Sequence, residues 1–259
     1  MSTKSCETNL DEGVLHNSEW VHRWAVGNTA FHRPIPDKFL DANEESMFDG
    51  KIKSLFLPLC GKTPDITWMY NKGHTVCGVE IAEQPIKEYF EENKIDYETE
   101  QVENVGTLYK SKDGRLKLYV ADLFDLSVSL CGQFDIIWDS KSLVAINLAD
   151  RELYKDLMLS LLKPGGQYYL AVLEYDPKCW PGPPHTVPDD VVKHLYSTSC
   201  KIDLVEEAER SGQNINEVKK DNDASSDKEA PKPALSSAGA AIKTSAYVFD
   251  RWYKMVLNE

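Results

Sequence analysis

The stretch from Phe56 to Glu80, FLPLCGKTPDITWMYNKGHTVCGVE, limits what this chain can fold into more than any other. An apolar run ends in Pro58 and a tight Cys60-Gly61-Lys62 turn. An amphipathic segment follows, with Ile66, Met69 and Tyr70 on one side. A second apolar run, Thr75 to Ile81, carries a carboxylate, Glu80, near its end. Pro64 fits the first turn of a helix, where its missing N–H leaves no acceptor unpaired. Gly73 fits the left-handed residue that ends one. The pattern therefore predicts strand, turn, helix and strand. Units of this kind bind nucleosides, because an acid at the end of the second strand accepts hydrogen bonds from both ribose hydroxyls.

The rest of the chain extends the same rhythm. Ser18 to Val26 predicts a helix with Trp20 and Trp24 on one face and Ser18 as a cap. Gly27 breaks it, and GNTAFHRPIP is turn-rich. Further helices are expected over Gln84–Asn93 and Asp150–Leu162. Strands are expected over Leu116–Val120, Phe134–Trp138 and Gln167–Leu173, the last after a Pro164-Gly165-Gly166 turn. The acidic surface between Glu83 and Glu103 reads as a solvated face. Alternating strands and helices imply an α/β fold: a mostly parallel sheet with helices on both faces. Residues 1–15 read as a loose polar tail, and residues 16–259 as one domain. From about 211 to 243 the composition turns to Ser, Ala, Asp and Lys, as in a disordered insertion. A last strand is expected over Ser245–Leu257.

Composition narrows the partners. The net charge is -13, which argues against nucleic acid, since phosphate contacts need clustered Lys and Arg. The six cysteines are scattered, with no CxxC pair, so neither a zinc site nor a disulfide framework is expected. The histidines show no metal-like spacing. There is no apolar leader and no run long enough to span a membrane. A cytoplasmic monomer acting on a small molecule is the expectation.

The first turn discriminates between cofactors. A dinucleotide needs G-x-G-x-x-G, so that backbone can approach a pyrophosphate. Leu59-Cys60-Gly61-Lys62 offers a single glycine, and Gly61-Lys62-Thr63 lacks the upstream glycine of a P-loop. S-adenosylmethionine carries no phosphate, so one glycine suffices. Glu80 lies about 20 residues beyond Gly61, the spacing of a ribose acceptor. Asp122, after a later strand, suits an adenine amino group, and Leu123 suits the ring. Asp122 serves equally well as a helix cap.

These residues also carry a resemblance. LKPGG (Leu162–Gly166) resembles the late-sheet turn of class I methyltransferases. W-x-x-x-W-x-x-G-x-T-x-F-H (Trp20–His32), PLCGK (Pro58–Lys62), GHTVCGVEIAE (Gly73–Glu83), FDIIWD (Phe134–Asp139), LVAIN (Leu143–Asn147) and YDP-x-x-x-PGPP (Tyr175–Pro184) resemble the thiopurine S-methyltransferase family. The resemblance implies a class I, Rossmann-like three-layer sandwich around a mostly parallel seven-stranded sheet with an antiparallel last strand. It implies methyl transfer from S-adenosylmethionine to a small aromatic or heterocyclic thiol. Trp20, Trp24, Gly27, Asn28, Thr29, Ala30 and Phe31 match the family's lid over the cofactor, and Phe31 also its substrate side. Leu59, Glu80, Ile81, Asp122, Leu123 and Ser140 match cofactor-contact positions. Asp139 and Lys141 are the expected groups for proton handling or charge stabilisation. The family often carries W-D-R-G-A-L where this chain has Trp138-Asp139-Ser140-Lys141-Ser142-Leu143. Ser140 supplies no guanidinium fork, and Lys141 restores charge without bidentate geometry. Three alternatives stay open: a methyltransferase for another soft nucleophile (halide, thiocyanate or a selenium compound), a non-catalytic binder of the same cofactor, and, weakened by the missing glycines, a nicotinamide-dependent oxidoreductase.

Overall fold

The computed structural model describes residues 13–210 and 237–258. In chain order its elements are α1 (Asn17–Ala25), α2 (Lys38–Phe48), β1 (Ser54–Leu57), α3 (Pro64–Asn71), β2 (Thr75–Glu80), α4 (Glu83–Glu92), β3 (Tyr97–Val102), β4 (Gly106–Ser111) and β5 (Leu116–Ala121). They continue with α5 (Val128–Cys131), β6 (Phe134–Ser140), α6 (Arg151–Leu161), β7 (Leu162–Tyr175), α7 (Asp189–Tyr196), β8 (Cys200–Glu209), α8 (Ser237–Ile242) and β9 (Val248–Leu257).

One sheet runs β3-β4-β5-β2-β1-β6-β7-β9-β8. The pairs β5–β2, β2–β1, β1–β6 and β6–β7 are parallel. Strand β9 inserts antiparallel between β7 and β8. The expected seven strands are therefore present, with the last in sequence running against the others. Two more, β3 and β4, form a hairpin that pairs antiparallel onto β5 and bring the sheet to nine strands. The hairpin falls in the segment read as a solvated acidic face. Four of the six β3 side chains are exposed, so its polar sequence hides a strand held by backbone pairing to β4 and by its two ends, Tyr97 against Phe90 and Tyr109 and Val102 against the core.

Helices cover both faces, and strand alternation divides the core between them. Phe56, Ile137, Tyr168 and Leu170 pack on one face with Tyr154, Met158 and Leu161 of α6 and Tyr196 of α7. Leu55, Leu57, Trp138, Tyr169 and Trp252 pack on the other with Phe39, Leu40, Met47 and Phe48 of α2 and Ile66 and Met69 of α3. On this second face Trp138 stacks on Trp252 (centroids 4.5 Å apart), which stacks on Phe39 (4.5 Å).

Several local expectations change. Helix α1 begins at Asn17, with His16 rather than Ser18 before it, and the His16 N–H donates to Glu19 Oε2 at 2.8 Å. The Pro164-Gly165-Gly166 turn is a bulge inside β7: Leu162 pairs with Phe134 and Gln167 with Ile136, so the residues between loop out of register. The tail read over 1–15 falls outside the described residues up to 12. Leu15 is anchored, exchanging backbone hydrogen bonds with the Asn147 side chain at 3.1 Å each. The insertion read over 211–243 lies outside the described residues up to 236, but its end is ordered. Residues Ser237–Ile242 form α8, and Ile242 is buried against Tyr175 and Val248. The bulk of Ile242 explains this, since an apolar side chain with a cluster to join gives a short helix its reason to dock.

Buried Trp138 also donates its indole N–H to Asp65 Oδ2 at 2.8 Å, and both residues are almost fully enclosed. Removing the donor strands a buried carboxylate oxygen. Trp138→Phe is expected to lower unfolding free energy by about 2–4 kcal/mol in a urea melt, from lost packing and the unmet acceptor together.

Candidate active site

The order β2-β1-β6 contains the point where successive connections leave the sheet in opposite directions, which opens a crevice at the carboxyl ends of β1 and β6. Both turns above it hold non-glycine residues in left-handed conformations: Leu59 (φ 44°) after β1 and Lys141 (φ 73°) after β6. Such residues persist only where surrounding contacts enforce them. Here the Ser142 hydroxyl donates to the Pro58 carbonyl at 2.8 Å, tying one turn to the other. The Cys60 N–H bonds the Val79 carbonyl at 2.9 Å, fixing the first turn against β2.

Glu80 ends β2 beneath that turn. Its Oε2 accepts from the Gly61 N–H and its Oε1 from the Ala82 N–H, each at 3.0 Å. Burial pushes its carboxyl up to about 7, against the pull of these backbone donors. A Cβ on Gly61 would stand 3.0 Å from the Trp24 ring and 3.9 Å from Glu80 Oε2, and φ there is +49°. So Trp24 of α1, the Gly61 turn and Glu80 converge, and only glycine fits between them. The expected lid is a folded unit. Gly27 (φ 72°) reverses the chain after α1, and the Asn28 N–H caps back to the Arg23 carbonyl. Thr29 and Ala30 carry the return. Phe31 then lies edge-on to Trp20 (5.6 Å) and Trp24 (5.4 Å), with 47% of its surface exposed.

Asp122 follows β5, beside β2. Its Oδ1 accepts from the Phe124 N–H at 2.9 Å, capping a short 3-10 turn, and its Oδ2 from the Asn17 amide at 2.5 Å. Both oxygens thus have protein partners, and the second fastens the first residue of the lid helix to the sheet. Leu123 is buried in the core below. Ile81 lies next to Glu80 and is half-buried.

Asp139 and Lys141, the groups expected for proton handling or charge stabilisation, are both engaged by other residues of the chain. Asp139 is completely enclosed. Its Oδ1 accepts from the N–H groups of Ser142 (2.7 Å) and Leu143 (3.3 Å), and its Oδ2 from the hydroxyls of Tyr154 (2.6 Å) and Tyr168 (2.8 Å). With four donors it holds the turn that carries Ser140 and Lys141. Lys141 is not free either. Its ammonium bonds Asp250 Oδ1 at 2.5 Å, and Arg210 pairs with the other Asp250 oxygen.

Sequence reasoning passed over three residues on the same side. Asp37 N-caps α2 through the Phe39 N–H (3.0 Å) and donates its own N–H to Asp65 Oδ1 (2.8 Å). Its Oδ2 accepts from Arg33 (2.5 Å) and from the Ser140 hydroxyl (3.5 Å). Asp37 before a helix was readable as a cap. Arg33, in an irregular segment, gave no periodic signal.

Two measurements check this geometry. Because burial raises Glu80 from its ordinary 4.5 to about 7, the folded chain holds a proton there that the unfolded chain releases. Stability should therefore fall as pH rises from 4.5 to about 7, and Glu80→Gln should flatten that slope in urea melts. Asp139→Ala, which orphans the buried Tyr154 hydroxyl and two N–H groups and leaves the Tyr168 hydroxyl only Tyr196, should lose about 3–5 kcal/mol of unfolding free energy.

The sequence profile of the thiopurine S-methyltransferases matches residues 15–229. A probable thiopurine S-methyltransferase of Danio rerio is 41% identical over 196 residues, covering 74% of this chain and 84% of its own. The thiopurine S-methyltransferase of Panthera leo is 40% identical over 207 residues, covering 76% and 84%. Among solved structures, the 1,6-didemethyltoxoflavin-N1-methyltransferase of Burkholderia thailandensis, with bound S-adenosylhomocysteine, superposes with a TM-score of 0.56 at 12% identity over 93% of this chain and 87% of its own. A methyltransferase from Anabaena variabilis gives 0.56 at 12% identity over 97% and 99%. The last two share the fold; the profile over residues 15–229 and the two relatives at about 40% identity show that the chain belongs to the thiopurine S-methyltransferase family.

Proposed function

We propose that this methyltransferase transfers the methyl group of S-adenosylmethionine to the sulfur of a small aromatic or heterocyclic thiol, of thiopurine type. S-adenosylmethionine is its cofactor, and the site fits it. Glu80 lies in the crevice with acceptor capacity left for two ribose hydroxyls, and the Gly61 turn leaves no side chain in the way. The observation that carries the reading of an aromatic acceptor is the half-bare Phe31 ring, propped edge-on against Trp20 and Trp24 above that cradle. Aromatic faces there suit both a flat acceptor and a sulfonium cation.

When bound, the cofactor supplies an electrophilic methyl group. The chain's residues hold and enclose. Glu80 fixes the ribose, with Ile81 and the Asp122–Leu123 corner bounding the adenine side and Leu59 the first turn. Trp20, Trp24 and Phe31 exclude water. Ser140 and Lys141 face the acceptor on a turn kept in place by Asp139. A heterocyclic thiol is already acidic, so placement of the two sulfurs suffices without a dedicated base. The free thiols Cys60, Cys77, Cys131, Cys179 and Cys200 suit the cytoplasm, and among the described residues no helix is long and apolar enough to cross a membrane.

Mass spectrometry of acceptor panels tests the reading. With S-adenosylmethionine, 6-mercaptopurine should gain one methyl group, while thiocyanate and iodide should not. Turnover of thiocyanate or iodide alone would replace the thiol with another soft nucleophile, and calorimetric binding of NADH in place of S-adenosylmethionine would overturn the cofactor. Glu80→Ala should weaken S-adenosylmethionine binding by about 1–3 kcal/mol, and Trp24→Ala by a similar amount.

A further inference from the structure

Ser140 ends β6 beneath the segment between α1 and α2, and a guanidinium stands beside it. Arg33, from the segment between α1 and α2, donates Nη2–H to Asp37 Oδ2 at 2.5 Å, and the Ser140 hydroxyl approaches the same oxygen at 3.5 Å. A serine at the end of β6 and an arginine in the lid segment thus share one carboxylate, where an arginine at 140 would itself find Asp37 within reach.

The charges around Arg33 are otherwise matched. Asp37 caps α2 with its other oxygen, Asp65 is used by the Asp37 N–H and the Trp138 indole, and Asp250 is divided between Lys141 and Arg210. Arg33 differs. Its side chain is 42% exposed, and among the described residues Asp37 is its one hydrogen-bonded partner, through Nη2, which leaves the other N–H groups of the fork to offer. Simple neutralisation of Asp37 needs only that one contact.

We propose that Arg33, held by Asp37 over Ser140, recognises an anionic group on the methyl acceptor and so sets this chain's acceptor preference. This rests on the reading of the acceptor as a small aromatic thiol. The group recognised is a planar anion away from the reacting sulfur, a ring carboxylate above all. A guanidinium fork matches a carboxylate in bidentate fashion. The sulfur is the wrong partner for it: a thiolate loses its charge as the methyl group arrives, so a cation on sulfur would favour the ground state over the transition state. A charge elsewhere on the ring is the same before and after transfer, and binding it lowers KM without hindering the chemical step.

A matched pair of probes tests this: 4-mercaptobenzoate and its methyl ester, which removes the charge and keeps the ring and thiol. Arg33→Gln should raise KM for 4-mercaptobenzoate about tenfold with kcat within about twofold, and leave KM for the ester within about twofold. Arg33→Lys should recover part of the loss. The exchange Arg33→Gln with Ser140→Arg should recover most of it, because the guanidinium returns to Asp37 from the other side. Equal changes for the two probes, no change for either, or an exchange variant as impaired as Arg33→Gln would overturn the proposal. Calorimetric binding of both probes to the S-adenosylhomocysteine complex separates it from the reading beneath it. If Arg33→Gln selectively weakens 4-mercaptobenzoate binding while neither probe is methylated, the thiol reading fails and the recognition by Arg33 stands. If both probes are methylated without charge discrimination, the reverse holds.

Discussion

The site depends on one buried carboxylate. Asp139 sits at the end of β6 with no exposed surface and satisfies four donors, two hydroxyls from α6 and β7 and two N–H groups from its own turn. A charge or shared proton in that position is tolerable only because every lone pair is used. In return it forces the chain into the tight reversal that places Lys141 at positive φ and lets Ser142 reach across to Pro58. The two turns flanking the crevice are thereby locked together. The side proposed to hold the cofactor (Glu80, Gly61, Trp24) and the side proposed to meet the acceptor (Ser140, Arg33, Asp37) are held in one frame.

That frame explains why the two halves behave differently. The cofactor half rests on backbone: Gly61 and Ala82 N–H groups on Glu80, and the Cys60–Val79 bond. It tolerates little change, since even a methyl group at Gly61 meets Trp24. The acceptor half rests on ion pairs between side chains, Arg33 with Asp37 and Lys141 with Asp250. Such pairs can be rearranged by substitution while the backbone stays put. Acceptor preference can therefore diverge within a family while cofactor binding stays fixed.

The parts legible in the sequence were those encoded locally. The strand-turn-helix-strand unit, Pro64 at the start of α3 and Gly73 at its end, and Glu80 in register with Gly61 all follow from short-range spacing. The parts that escaped depend on distant partners. Asp139 and Glu80 look alike as strand-end acids, and only the structure shows Tyr154 and Tyr168, brought over by α6 and β7, donating to the first. Asp122 looked open and is taken by Asn17 from the lid. Strand β3 lacks the apolar alternation of a half-buried strand because its four central residues, on both of its sides, face solvent. Arg33 lies in a segment with no period, and its meaning emerges only beside Ser140.

The central claim is that this crevice places an acceptor's sulfur, and not a ring nitrogen or an ion, against the cofactor's methyl group. Turnover of 6-mercaptopurine with S-adenosylmethionine labelled with 13C at the methyl group, followed by NMR of the product, tests it directly. The account predicts a single labelled resonance with the shift of an S-methyl thioether. A labelled N-methyl resonance, or cofactor binding with no transfer of label, would contradict it.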